Sequence, residues 1–179
     1  MIKKLIDQLY NIYEIIFTNI SFFSFLYMKF HEPSVKKEIE MAQITPSDKI
    51  LQIGCGAIPY SLLILSKMTN TELTGIDNQG RSIQLAQKFL QKNKQIHVKQ
   101  SAGEIFDVSD YDVILISYGV GNIDVVINNV LKNLKSTAKI LFRKPVTVKS
   151  AYIDSIVQQY SEKKIRLLLT QESILLMKQ

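Results

Sequence analysis

KILQIGCGAIPYS, residues 49–61, is the stretch that decides the fold. The apolar run Ile50-Leu51-Gln52-Ile53 stops at Gly54-Cys55-Gly56, and a helical pattern of Leu62, Leu63, Leu65 and Met68 begins just after Pro59. A buried strand, a tight glycine turn and a helix follow from that order. Glycine at a strand end permits a turn where a Cβ would clash, and a second glycine two residues on leaves bare main chain for a ligand to approach. The helix behind them directs its free N–H groups and positive dipole end at the same place. Pro59 suits the first helical turn, where its missing N–H is not needed and its φ is already helical. A Gly-x-Gly pair also occurs in ordinary turns, so a ligand site and a plain turn both remain open at this point.

The next element separates them. ELTGID, residues 72–77, reads as a short strand ending in a carboxylate 23 residues after Gly54. In a βαβ unit an acid at that distance reaches the C-terminal edge of the neighbouring strand and can accept hydrogen bonds from both ribose hydroxyls of an adenosine group. A solvated loop aspartate is the plainer alternative. Glycine turn and acid together point to a nucleoside site.

A chain of 179 residues suits one domain with a full core and a short appendage. With 46% hydrophobic and 21% charged residues the composition is that of an ordinary globular protein and excludes a disordered one. The net charge of +6 invites a nucleic-acid reading, but Lys and Arg are scattered in runs no longer than two, without interleaved aromatics. A solvated basic surface accounts for them, and no clear nucleic-acid site is expected. The single cysteine, Cys55, excludes an internal disulfide and a cysteine-based metal cluster, no metal is expected, and a reducing cytoplasmic location fits.

Residues 2–30 repeat apolar side chains at three- and four-residue steps (Leu5, Leu9, Ile12, Ile16, Ile20, Phe23, Tyr27) and predict an amphipathic helical region. Its uncharged part, residues 15–28, is too short and too polar to cross a bilayer, and no signal-peptide cleavage site follows it. Phe17, Phe22, Phe23, Phe25 and Tyr27 supply more apolar surface than one packed face needs, which leaves room for a homodimer or membrane-surface contact. His31-Glu32-Pro33 is expected to break the pattern, with a second helix over residues 34–43. Residues 45–48, TPSD, form a turn into the first strand. Helices over 59–68, 80–92, 122–134 and 149–160 then alternate with strands over 50–53, 72–76, 95–99, 111–117 and 137–143. The last two strands, 164–169 and 172–177, are too closely spaced for anything but an antiparallel hairpin. Residues such as Val113-Ile114-Leu115-Ile116 read as buried on both faces, the signature of a parallel sheet. The expected fold is α/β: a Rossmann-like αβα sandwich with a mostly parallel seven-stranded sheet and a C-terminal antiparallel hairpin.

This pattern resembles the class I S-adenosylmethionine-dependent methyltransferase family over residues 34–179. The resemblance is carried by Ile53-Gly54-Cys55-Gly56, by Ile76-Asp77 and by Tyr111-Asp112-Val113-Ile114 leading to the substrate-side loop. It implies S-adenosyl-L-methionine as cofactor and a division into a helical lid or appendage, 1–48, and a cofactor-binding domain, 49–179. Gly54 and Gly56 would lie against the methionine part, Asp77 would hold the ribose, Ser101 and Ala102 would flank adenine, and Gln52, Cys55 and Ser117 would complete the cofactor site. Two positions depart from the family pattern: the acid usual two residues before the first glycine is Gln52, and the adenine-side acid is Ser101.

A narrower resemblance, to the nicotianamine synthase group, rests on Gly54-x-Gly56-x-x-Pro59-x-Ser61, on Ser117-Tyr118-Gly119-Val120-Gly121 and on Ile140-Leu141-Phe142-Arg143. Those enzymes transfer the aminocarboxypropyl arm instead of the methyl group and also lack the acid before the glycines. This chain, with about 48 residues before its first strand, has no room for that group's larger helical part. Methyl transfer to a small-molecule acceptor is the first expectation. Aminocarboxypropyl transfer, a cofactor-binding subunit without activity and a peripheral membrane enzyme are the alternatives. A sulfonium already carries a good leaving group, so alignment and exclusion of water are the protein's main tasks, and a base is needed only to take a proton from the acceptor. Candidates around the mouth of the site are Tyr118, Glu32 and His31, with Tyr60 and Glu104 behind them. His31 and Glu32 could equally be a loop cap or surface pair, and Tyr118 a packed aromatic. Arg143 could bind a substrate carboxylate or stand with Lys144 as a solvated strand end.

Overall fold

The computed structural model describes residues 21–145, 150–168 and 171–178. A long helix, α1 (Ser21–Ala42), precedes β1 (Ile50–Ile53), α2 (Tyr60–Leu65), β2 (Leu73–Asp77), α3 (Gly80–Phe89) and β3 (Ile96–Gln100). There follow β4 (Val113–Ile116), α4 (Ile123–Asn133), β5 (Lys139–Pro145), α5 (Ala151–Tyr160), β6 (Ser161–Leu168) and β7 (Gln171–Met177). One seven-stranded sheet has the order β3-β2-β1-β4-β5-β7-β6. The first five strands in that order are parallel, and β7 runs antiparallel to both β5 and β6.

Alternation along the central strands sorts the core into two layers. Ile50, Val113, Leu115, Leu141 and Leu175 face a cluster built with α1, α2 and α3. Leu51, Ile53, Ile114, Ile116, Ile140 and Ile174 face the opposite cluster, built with α4 and α5. All four residues of β1 and of β4 are buried, as strands covered on both faces must be. The helices supply matching stripes: Val126, Ile127 and Val130 in α4, and Ile153 and Ile156 in α5. Ser150 caps α5, its Oγ accepting from Ile153 N at 3.3 Å.

The connections put the site at one edge. From β1 the chain moves outward to β2 on one side, while β4 pairs on the other, and Ile53 is level with Ile76 and Ile116 in the two registers. Their C-terminal ends therefore open a crevice where the strand order reverses, the place open α/β sheets use for ligands.

The helical break expected at residues 31–33 does not occur. Pro33 lies inside α1, which continues to Ala42. A proline inside a helix costs about 3 kcal/mol, and packing on both sides of it offsets that cost. Before Pro33, Tyr27 and His31 lie against Tyr60; after it, Val35, Ile39, Met41 and Ala42 enter the core. Most of the amphipathic region expected over residues 2–30 lies outside the described residues. Within α1, Phe25, Leu26 and Phe30 remain more than half exposed. No described helix is long and apolar enough to cross a membrane.

Candidate functional site

Gly54 and Gly56 both adopt the left-handed region, with φ of +75° and +65°. A Cβ on Gly54 would lie 2.7 Å from Val120 Cγ2, whereas one on Gly56 would meet nothing within 4 Å. Gly54 is thus demanded by the protein's own packing. Gly56 borders open space at the head of the crevice. The backbone N–H groups of Gly54 and Cys55 both donate to Ile76 O, at 2.8 and 3.0 Å, which locks the turn onto β2. The Cys55 side chain turns into the core, where burial first, and then Asp77, push its thiol up to about 12. It offers the site main chain and no thiolate.

Asp77 stands opposite. Its Oδ2 accepts from Gly56 N at 3.0 Å and its Oδ1 from Gln79 N at 2.9 Å. An ionised carboxylate oxygen accepts two hydrogen bonds, so each retains a lone pair for a ligand hydroxyl. Ser101 and Ala102 follow β3 on the same edge, with Ser101 N donating to Asp77 O at 3.0 Å. On the other flank Gln52, 2% exposed, donates from Nε2 to Ser117 Oγ at 2.8 Å, while its Oε1 is buried without a hydrogen-bond partner in the protein. An orphaned buried acceptor beside a glycine turn fits a ligand that brings its own N–H groups.

The structure joins His31 to Tyr60 and separates Glu32 from both. The His31 imidazole stacks on the Tyr60 ring, centroids 4.5 Å apart, with Tyr27 at 4.4 Å on another side. Burial, and after it the charge of Arg143, lowers the His31 pKa below its ordinary value and favours the neutral ring. Glu32 pairs with Lys36 at 2.9 Å and Lys29 at 3.2 Å along the helix surface. Those hydrogen bonds, the one from Lys36 foremost, hold its carboxyl at about 2, a poor match for a proton acceptor at neutral pH. Glu104 accepts from Asn122 Nδ2 at 3.0 Å, ahead of α4.

Arg143 differs from both sequence expectations, being neither a solvated strand end nor a free cation for a substrate. It is 4% exposed and forms a two-pronged ion pair with Glu38 of α1, also buried, with Nε to Oε1 at 2.8 Å and Nη2 to Oε2. Its Nη1 donates to Tyr60 Oη at 3.1 Å and Ser61 Oγ at 3.0 Å. Burial opposes the guanidinium charge, yet the adjacent Glu38 carboxylate prevails and holds the Arg143 pKa above its ordinary value. The cluster bolts α1, α2 and β5 together beneath the His31–Tyr60 stack. Glu38 escaped the sequence reading, although an acid at helical steps from Val35 and Ala42 is the signal of a charge on a buried stripe.

Tyr118, two residues past the end of β4, is half exposed and lines a cavity of about 270 Å³ with Val120, Ile123 and Phe142. Lys144 and Ser150, which sequence reasoning did not place in the site, border the same cavity. They come from the far end of β5 and the cap of α5, where only strand order reveals the proximity.

An open αβα sheet with a glycine turn facing a β2 carboxylate at its switch point is a nucleoside-cofactor domain. A family model described as a methyltransferase domain matches residues 44–177. The chain belongs to that methyltransferase-domain family, and S-adenosylmethionine is the cofactor that membership implies. Several solved structures share the fold. MtNAS, a nicotianamine synthase, in complex with MTA and tNA has a TM-score of 0.76 at 14% identity, covering 87% of this chain and 62% of that one. A putative S-adenosyl-L-methionine-dependent methyltransferase of Methanococcus maripaludis has a TM-score of 0.69 at 15% identity, covering 92% of this chain and 91% of the other. An RNA methyltransferase from Salinibacter ruber in complex with S-adenosyl-L-homocysteine has a TM-score of 0.63 at 12% identity, covering 81% and 90%. This chain spans 58–62% of the length of the MtNAS chains. No protein of curated function matches it in sequence.

Proposed function

We propose that the protein transfers the methyl group of S-adenosylmethionine to a small-molecule acceptor. The observation that carries this reading is the paired state of the crevice: a bare left-handed Gly56 facing Asp77, and the unpartnered Gln52 Oε1 behind it. Asp77 holds the ribose hydroxyls with its two remaining lone pairs. Gly54 and Gly56 admit the methionine part against the main chain, Gln52 Oε1 accepts from its ammonium group, and Ser101 and Ala102 border adenine. The bound sulfonium supplies a methyl carbon with a good leaving group. What remains for the protein is to hold an acceptor in line near Tyr118 and keep water out. His31, neutral and stacked on Tyr60, is the group suited to take a proton where an acceptor must lose one. The half of α1 that carries it acts as a cover over the strand ends.

Two observations favour a second reaction. Gln52 leaves the amino-acid tail of the cofactor without the carboxylate that would clamp it, and the structural likeness to MtNAS covers 87% of this chain. Transfer of the aminocarboxypropyl arm needs that tail free to move. The product distinguishes the readings: incubation with S-adenosylmethionine and cell extract should leave S-adenosylhomocysteine. Methylthioadenosine would establish aminocarboxypropyl transfer instead, and neither product would indicate a cofactor-binding subunit.

A further inference from the structure

The cavity at the ends of β4 and β5 carries information about the acceptor. Its walls are apolar: Val120, Ile123, Phe142 and Ile153. Val120 also connects it to the glycine turn, since a Cβ on Gly54 would come within 2.7 Å of Val120 Cγ2. The side chain that walls the cavity therefore rests on the turn itself, and a molecule inside lies one side chain away from the cofactor cradle.

The cations among the described residues that border the cavity, Arg143 and Lys144, are already neutralised. Arg143 is paired with Glu38, and Lys144 Nζ lies 3.4 Å from Glu172 and 3.5 Å from Asp154. Among the described residues the polar handles that remain are hydroxyls. Ser150 Oγ spends a lone pair on Ile153 N, which leaves its O–H free to donate, and Tyr118 stands half exposed at the rim. Against the described walls a charged acceptor would lose its hydration without a counter-charge, whereas an apolar ring gains by leaving water. A volume of about 270 Å³ sits just below the usual range of small-ligand sites.

We propose that this cavity is the acceptor site and that the acceptor is an uncharged, largely apolar compound of one or two rings, bearing a hydroxyl that receives the methyl group. This rests on the reading of the glycine turn as an S-adenosylmethionine site. In the transfer a lone pair of the acceptor oxygen forms the bond to the methyl carbon as the carbon–sulfur bond breaks. That bond's electron pair stays on sulfur, giving the neutral thioether S-adenosylhomocysteine, and the hydroxyl proton passes to neutral His31, the base of the proposed function.

The test uses 2-naphthol as probe, with 2-naphthoate and 1,5-diaminopentane as charged comparators, titrated calorimetrically into the full chain saturated with S-adenosylhomocysteine. Saturable 2-naphthol binding is expected, at least tenfold tighter than either comparator. Ile123→Trp, which fills the cavity from α4, should weaken it tenfold or more while the thermal shift with S-adenosylhomocysteine stays unchanged. Should that variant not fold, Tyr118→Phe at the exposed rim should lower 2-naphthol affinity about threefold to tenfold by removing one hydroxyl. No saturable 2-naphthol binding, tighter binding of a charged comparator, or undiminished binding in the variants overturns the acceptor proposal while the cofactor reading stands. No response to S-adenosylhomocysteine in the parent chain overturns the cofactor reading, and the acceptor proposal falls with it.

Discussion

Replacing Asp77 by alanine removes a carboxylate that faces the glycine turn. In the structure that carboxylate already accepts from Gly56 N and Gln79 N and has two lone pairs left for ribose. Hydrogen bonds to a charged acceptor contribute about 1.5–3 kcal/mol, so Asp77→Ala should weaken cofactor binding by roughly tenfold to a hundredfold. The assay is thermal unfolding with S-adenosylhomocysteine, which binds without turning over. At a ligand concentration of about 100 times Kd, linkage stabilises the folded state by about 2.7 kcal/mol, and a hundredfold loss of affinity leaves about 0.4 kcal/mol. For a chain of this size 1 kcal/mol corresponds to about 2–4 °C. A rise of about 5–10 °C in the parent should shrink in the variant to about 3–6 °C for a tenfold loss and about 1–2 °C for a hundredfold one. Asp77→Ala also frees Gly56 and Gln79, so its ligand-free Tm drops, and only the ligand-induced increment is diagnostic. An undiminished increment would refute the assignment of Asp77 to the ribose.

The two glycines should respond differently to alanine. Gly56→Ala should cost the ligand-free protein only the strain of a left-handed residue, about 1–2 kcal/mol, yet abolish cofactor binding in the same thermal assay, because its Cβ points into open crevice. Gly54→Ala should destabilise the ligand-free protein more than Gly56→Ala, since it adds the clash with Val120 to a similar strain. Glu38→Ala leaves Arg143 buried without its counter-charge and should cost about 3–5 kcal/mol in denaturant unfolding; a loss under about 1 kcal/mol would show that water reaches Arg143 and that the pair does not bolt α1 to β5. His31 should add a pH dependence to stability. Its folded pKa lies below the ordinary 6.5, so below that value the unfolded chain binds more protons. The contribution is then complete above about pH 6.5 and lost as pH falls toward the depressed folded value. Subtracting the stability profile of His31→Phe from that of the parent should isolate this slope, and parallel profiles would place His31 in solvent.

Local signals in the chain were strong enough to establish the sheet, the glycine turn and the acid that faces it. Strand, turn and helix around Gly54 and Gly56 depend on backbone sterics within a dozen residues, and the fully apolar strands announce burial on both faces whatever their neighbours. The distance from Gly54 to Asp77 is a property of one βαβ unit, so it too was legible in the sequence. The course of the chain at Pro33, the pairing of Arg143 and the cavity beside Tyr118 were decided by tertiary structure. A proline signals a helix end through local energetics of about 3 kcal/mol, and only the packing of Tyr27, His31, Val35 and Ile39 on other elements shows that this cost is overcome. Arg143 looks like a surface charge until α1 delivers Glu38 from 105 positions away, because whether a charge is solvated or paired depends on what the fold places above it. Val120, Ile123, Phe142 and Ile153 meet around one cavity for the same reason: their proximity comes from the order of strands in the sheet and from no periodicity along the chain.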